Sequence, residues 1–298
     1  MRVHLVDGTF ELFRAHFSPR TPAHRAPAGW EAKATVGLAI SLLGLLHDRA
    51  EAVTHVAVAF DNPIRSFRND LWPGYKTDEG VPPELLAQFD AAEAATRALG
   101  VTVWSMRQHE ADDALATGAA RFRDAVEQVR ILTPDKDLAQ CLVGRRVVQV
   151  DRIRRLEIDE EALLARRGIR PESVPDWLAL VGDDADGIPG IVGFGAKTAS
   201  TLLARFVHLE QIPEDSAGWP AGIRGRPLLA RELQAEREAV LLYRRLATLV
   251  VDVPLPETLE DLRWRGVPRE RFEAWCAELG TTAMIETLER WPARWARG

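Results

Sequence analysis

The sequence predicts an α/β protein: a mostly parallel central sheet flanked by helices, followed by a helical region built on a helix, a glycine hairpin and a second helix. Three observations predict it. Short runs that are apolar on both faces alternate with amphipathic segments of helical period, the pattern of buried parallel strands joined by crossover helices. Four of these runs end at or near an acid. A glycine-rich stretch between Gly182 and Gly195 separates two further helical patterns.

Residues 2–6 form the first strand and end at Asp7-Gly8; residues 55–60 run into Asp61. Residues 101–104 lead to Glu110, and residues 129–132 lead to Asp135. Helical periods over 35–49, 84–99 and 112–123 supply the crossovers. In open α/β sheets the ligand site lies beyond the carboxyl ends of the strands. Taken singly, each acid is a turn residue or helix cap after a strand; four together point to a site. Asp135 and Asp137, two apart on an extended segment, point to one side. Glu110 and Asp113 share a face if the helix starts at Glu110, which puts Asp112 off it. Carboxylates gathered this densely raise one another's pKa unless a cation lies among them, and hard oxygen donors favour magnesium or manganese over zinc.

The segment 62–83 differs in character: Arg65, Arg68 and Lys76 stand among Phe67, Trp72 and Tyr75, with prolines at its borders. Such interleaving holds phosphates and stacks on unpaired bases, and it equally suits a solvated connection with buried aromatics. A strand over 147–150 and an arginine-rich stretch to Arg170 precede a helix over 171–182. Asp183 and Asp186 then add two acids at the spacing of one side of a helical turn. The glycines after them open a helix over 196–206, whose bare amides suit a phosphate. Gly190 to Thr198 nearly spells a nucleotide phosphate loop, but Ala196 stands before the lysine and the stretch follows a helix, not a strand. A clamp on a nucleic-acid backbone fits better. Beyond Trp219 the chain is helical and mixed in charge, with Trp291 and Trp295 packing the last helix down.

Composition bounds the partners. A hydrophobic content of 46% over 298 residues is that of a globular protein. The apolar run 36–46 is too short to span a bilayer, and the residues ahead of Asp7 leave no room for a signal peptide. Cys141 and Cys276, without metal-ligand spacing, are core fillers and point to a reducing cytoplasm. A formal charge of -6 speaks against a nucleic-acid partner unless several acids are metal ligands, in which case the 38 Lys and Arg still line a groove.

Several motifs, in order, carry a resemblance: Leu5-Val6-Asp7-Gly8 with Arg14, Ala59-Phe60-Asp61, Ser66-Phe67-Arg68, Gly74-Tyr75-Lys76 and Glu110-Ala111-Asp112-Asp113. Thr133-Pro134-Asp135-Lys136-Asp137-Leu138, the stretches 182–190 and 193–199, Leu246-Ala247-Thr248 and Asp252-Val253-Pro254-Leu255 continue it. The chain resembles the 5′ nuclease family, the 5′→3′ exonuclease domain of bacterial DNA polymerase I and its stand-alone flap endonuclease relatives. With nothing after Gly298 to house a polymerase, it looks like a stand-alone member or a cut fragment. The resemblance implies a PIN-like nuclease core over 1–170 with an arch at about 62–83, and a helix-hairpin-helix DNA-binding region with C-terminal helices over 171–298. It implies two or more magnesium or manganese ions that clamp an in-line displacement on DNA and leave 5′-phosphate and 3′-hydroxyl ends.

By the same resemblance Asp7, Asp61, Glu110, Asp112, Asp113 and Asp135 hold one side of the metal cluster, and Asp137, Asp183 and Asp186 the other. Lys76 and Arg14 lend charge to the transition state. Arg68 binds DNA, and Tyr75 stacks on a base. Gly193, Gly195, Lys197 and Thr198 hold duplex DNA, with potassium at the hairpin near Gly193 and Gly195. The implied partner is 5′-flapped, nicked or branched DNA, bound by a cytoplasmic monomer with no membrane attachment. One departure stands out: Thr77-Asp78-Glu79-Gly80 replaces the basic continuation usual after Gly74-Tyr75-Lys76, and its two acids repel a threaded 5′ strand. The alternatives are a PIN-type ribonuclease, which the hairpin clamp argues against, and a non-catalytic binder of branched DNA, which a missing carboxylate would have favoured.

Overall fold

The computed structural model describes residues 1–290 and 295–296, which form two compact units. The first comprises Met1–Arg65, Asp78–Thr133 and Val251–Gly298, and the second Ser66–Thr77 and Pro134–Val250. These units do not follow a single cut at residue 170. The residues after 250 join the first unit because Val253 donates its N–H to Thr117 Oγ1 (3.1 Å) and the Arg121 guanidinium binds the Leu255 carbonyl (2.8 Å).

The first unit carries β1 (Arg2–Asp7), β2 (His55–Asp61), β3 (Thr102–Met106) and β4 (Gln128–Leu132), all parallel in the order β3-β2-β1-β4. β1 and β2 are buried almost throughout, which is why their sequences do not alternate. The register pairs Asp7 with Ala59 and Asp61 with Met106, so the strands finish along one edge. Helix Ala111–Phe122 packs on these strands, and helices Gly8–Phe17, Lys33–His47 and Phe89–Ala98 pack together. Gly8 directly follows the strand-end acid because a Cβ there would lie 2.6 Å from the Phe60 ring and 2.7 Å from the Ala59 carbonyl.

The expected helix over 84–99 is broken into Pro83–Leu86 and Phe89–Ala98; the helix over 196–206 forms as Ala196–Phe206. Trp291 lies outside the described residues. Trp295 is buried and meets Phe272 edge-on, with ring centroids 6.1 Å apart.

The second unit holds the antiparallel pair β5 (Val147–Asp151) and β6 (Leu156–Ile158) and a helical core. Helix Val174–Val181 packs against Ala196–Phe206 and Arg237–Ala247 around Leu178, Leu202, Val240 and Leu246. Residues 66–77, within the expected arch at about 62–83, pack into this core. Tyr75 is buried in this core with Leu71 and Trp72 packed against it, the Trp72 Nε1–H donates to the Gly187 carbonyl (3.1 Å), and the Lys76 N–H donates to Asp186 O (3.1 Å). Their apolar side chains gain more from that core than from water. The backbone approach is so close that a Cβ on Gly187 would lie 1.9 Å from the Gly74 carbonyl oxygen. Asp78 and Glu79 are exposed. No helix of the described residues is long and apolar enough to cross a membrane.

Candidate metal centre

In the first unit the strand-end acids are fixed by the helices that follow. Asp7 is the N-cap of Gly8–Phe17: Oδ1 accepts the Phe10 N–H (2.8 Å) and Oδ2 the Thr133 hydroxyl (2.9 Å). Asp61 Oδ1 accepts the Ala111 N–H at 2.7 Å, while its own N–H donates to Thr9 Oγ1 (2.8 Å). Glu110 caps Ala111–Phe122 in a reciprocal box with Asp113, whose Oδ2 accepts the Glu110 N–H at 3.0 Å. Glu110 and Asp113 are buried and Asp112 is half-buried. Asp7, Asp61, Glu110 and Asp113 are thus oriented by amides at the starts of these helices, where the dipole favours negative charge.

The second unit contains the tightest acid group. Asp137, Asp183 and Asp186 offer oxygen atoms all within 4.8 Å of one another. Asp137 lies on the 3-10 helix Lys136–Cys141, capped by Asp135, whose Oδ1 accepts the Asp137 N–H at 2.9 Å. Asp183 and Ile188 exchange backbone hydrogen bonds of 2.7 and 2.9 Å, closing the turn that carries Asp186.

Two ammonium groups face the three carboxylates. Lys76 Nζ pairs with Asp186 Oδ1 at 2.9 Å; Lys136 pairs with Asp183 and lies 3.8 Å from Asp137 Oδ1. They do not balance the site. Asp137 Oδ1 is buried and receives no hydrogen bond among the described residues, and burial, then Asp135 and Asp186, hold this carboxyl well above the usual range against the pull of Lys136. Lys136 shows the counterpart: burial opposes its charge, yet Asp137, Asp183 and Asp135 together push its pKa up. A buried carboxylate oxygen without a donor, among acids that outnumber their cations, fits a hard divalent ion.

Two expected DNA contacts are corrected. Arg68 is 1% exposed; its Nε donates to the Leu246 carbonyl (2.7 Å) and its Nη2 to the Thr248 carbonyl (3.0 Å), so it ties chain to chain. Tyr75 is 4% exposed with its hydroxyl 3.4 Å from Asp186 Oδ2, leaving no ring face for a base. Arg14, by contrast, is partly exposed, held by the buried Glu11 carboxylate and by Ser41 Oγ (2.8 Å). Gly193, Gly195 and Lys197 are exposed at the hairpin and Thr198 half-exposed, with Gly195 the N-cap of Ala196–Phe206. The sequence pattern did not single out Lys136 as a counter-ion, nor Thr9 and Thr133 as partners of Asp61 and Asp7. The flanking acids of Asp135-Lys136-Asp137 were the available signal for the lysine.

Comparison with known proteins places the chain in a family. The family model described as 5′-3′ exonuclease, N-terminal resolvase-like domain, matches residues 2–168, and that described as 5′-3′ exonuclease, C-terminal SAM fold, matches residues 169–270. DNA polymerase I of Bacillus caldotenax is 32% identical over 289 residues, covering 96% of this chain and 32% of that protein. The chain therefore spans about a third of the length of this relative. In fold it is similar to the bacteriophage T5 flap endonuclease, solved as a pseudo-enzyme-product complex with DNA and metal ions (TM-score 0.64, 19% identity, 97% of this chain and 100% of that one). The catalytic core of Rad2 in complex with DNA substrate is also similar (TM-score 0.58, 15% identity, 98% and 91% covered). With both family models matched in succession across residues 2–270, the chain belongs to the 5′-3′ exonuclease family.

Proposed function

We propose that this chain hydrolyses DNA phosphodiesters at 5′ ends and 5′-flap junctions, using magnesium or manganese ions and leaving 5′-phosphate and 3′-hydroxyl ends. The observation that carries the proposal is the Asp137, Asp183 and Asp186 group, with its buried, undonated oxygen, in a chain of the 5′-3′ exonuclease family. Asp137, Asp183 and Asp186 hold one ion; Asp7, Asp61, Glu110, Asp112, Asp113 and Asp135 are the ligands we assign to the remainder of the metal requirement. When bound, such ions activate the attacking water and take up charge on the leaving oxygen. The capping bonds keep the carboxylates in place, so little reorganisation accompanies the reaction. Lys76 and Arg14, each held by an acid, are the cations assigned to the phosphate.

The exposed hairpin at Gly193 and Gly195, with the amides that open Ala196–Phe206, supports a contact to the DNA backbone beside Lys197 and Thr198, with potassium at the hairpin. We assign the protein a monomeric state and a cytoplasmic location, consistent with its two free cysteines.

A 5′-flapped duplex labelled at its 5′ end tests the proposal. Product is expected in magnesium or manganese, and none with chelator or in Asp183→Asn. Binding without product in either metal would establish the non-catalytic binder instead, and cleavage confined to an RNA strand the PIN-type ribonuclease.

A further inference from the structure

The arginine-rich stretch ending at Arg170 has no part in the proposed hydrolysis, yet it folds around a cavity of about 140 Å³ within the second unit. The walls are the 3-10 helix Lys136–Cys141, the β5–β6 hairpin and helix Glu160–Arg167. Its charged and amide lining is Lys136, Gln149, Asp151, Arg154, Arg166 and Arg167, four cations to one acid. That acid is already satisfied: Asp151 is buried, pairs with Arg154 at 3.0 Å and accepts the backbone N–H groups of Ile153 and Arg154 at 2.9 Å each. Lys136 is engaged by Asp183.

The excess positive charge rests on Arg166 and Arg167. A pair of arginines in the last turn of a helix serves the helix dipole, and that explains their charge. It does not explain how Arg167 is held. Its guanidinium lies over the Trp177 ring, 5.2 Å from the centroid, and its Nη1 is buried without an acceptor among the described residues. Asp137 and Asp135 act on it only electrostatically, and burial outweighs them. A buried guanidinium donor left unmatched is costly, and the group stays charged regardless.

We propose that this pocket takes a phosphomonoester, the 5′-phosphate at the end of a nucleic-acid strand; the nuclease reading supplies only the identity of the strand. Pockets that hold drug-sized ligands measure roughly 300 Å³ or more, so this smaller cavity suits a phosphate group without its nucleoside. A walled pocket also suits a chain end better than a backbone diester, which must enter and leave. Terminal phosphate oxygens match the fixed fork of an arginine.

Fluorescence anisotropy of the full chain in chelator, with a 3′-labelled single strand bearing either a 5′-phosphate or a 5′-hydroxyl, tests this. The phosphorylated strand is expected to bind about tenfold tighter. That preference disappears in Arg166→Ala and in Arg167→Gln; Arg166→Ala, an exposed position, leaves the fold and the 5′-hydroxyl affinity unchanged. Millimolar inorganic phosphate removes the preference and spares the 5′-hydroxyl strand. Equal affinity for both ends, or a preference that survives both substitutions, overturns the proposal. So does inorganic phosphate competing with both strands alike, which marks a general anion sink. Magnesium-dependent flap cleavage is scored separately: end preference without cleavage keeps the pocket and removes the nuclease, and cleavage without end preference does the reverse.

Discussion

Asp137 is buried among three other carboxylates and one of its oxygens has no donor, so in chelator its charge works against the fold. Neutralising it without changing its shape separates that cost from its use. Asp137→Asn is expected to stabilise the chelated protein by about 1–2 kcal/mol, in line with relief of a poorly compensated buried group. The same change is expected to lower flap cleavage by more than the roughly 10–100-fold typical of an outer-shell partner. Urea denaturation in chelator and single-turnover cleavage in magnesium measure the two effects, and a variant both less stable and fully active would refute the role given to Asp137. Residues of this kind were legible because a dense set of acids after apolar runs has few purposes. Arg68 and Tyr75 were not. A cation among aromatics reads alike whether it faces a ligand or a core, and what decides Arg68 is a pair of carbonyls, Leu246 and Thr248, about 180 residues away in sequence.

At the scale of elements, a capping role does not compete with the ligand role proposed for these acids. Asp7, Glu110 and Asp135 each cap the helical turn after a strand, and the cap itself sets the carboxylate's direction. The four parallel strands were legible from their apolar runs. Helix Gly8–Phe17 was not, since it opens on Gly8 and Thr9, poor helix formers, with no break from the strand before it. The registered pair His4 and Arg130 joins β1 and β4 through a different group: Glu51 accepts from His4 Nε2 (3.0 Å) and pairs with Arg130 Nε (2.7 Å). The His4 hydrogen bond, with Arg130 and against the effect of burial, lowers the Glu51 carboxyl from its ordinary 4.5 to about 2. A depressed acid contributes stability that is present above its unfolded pKa and is lost as pH falls through the folded one. Glu51→Gln should therefore cost about 1–2 kcal/mol at neutral pH, discounted for partial exposure. The deficit should shrink below pH 4.5 and close near pH 2, the window set by the shift. Urea midpoints for both proteins across that range measure it, and a deficit that stays constant down to pH 2 would count against the pairing.

For the whole molecule, the fold class and the family were legible and the discontinuous units were not. A linear reading assigns 66–77 to whatever precedes it, whereas Leu71, Trp72 and Tyr75 find their core in helices that come a hundred residues later. With 44 acids against 38 Lys and Arg, metal binding is also a contribution to folding: an ion that binds only the folded acids stabilises by about 2.7 kcal/mol at a hundredfold excess over its Kd. For a chain of this size that is a rise in melting temperature of several degrees. Lys76 and Lys136 already occupy part of the same charge, so each limits the gain. Lys76→Met is expected to lower the melting temperature in chelator, because Asp186 loses its 2.9 Å partner, and to enlarge the magnesium-induced rise. Asp186→Asn is expected to shrink the rise instead. Thermal melts with magnesium and with chelator distinguish the two. If Lys76→Met leaves the magnesium rise as it is in the unsubstituted chain, the lysine is a substrate-facing cation only and not a stand-in for the metal.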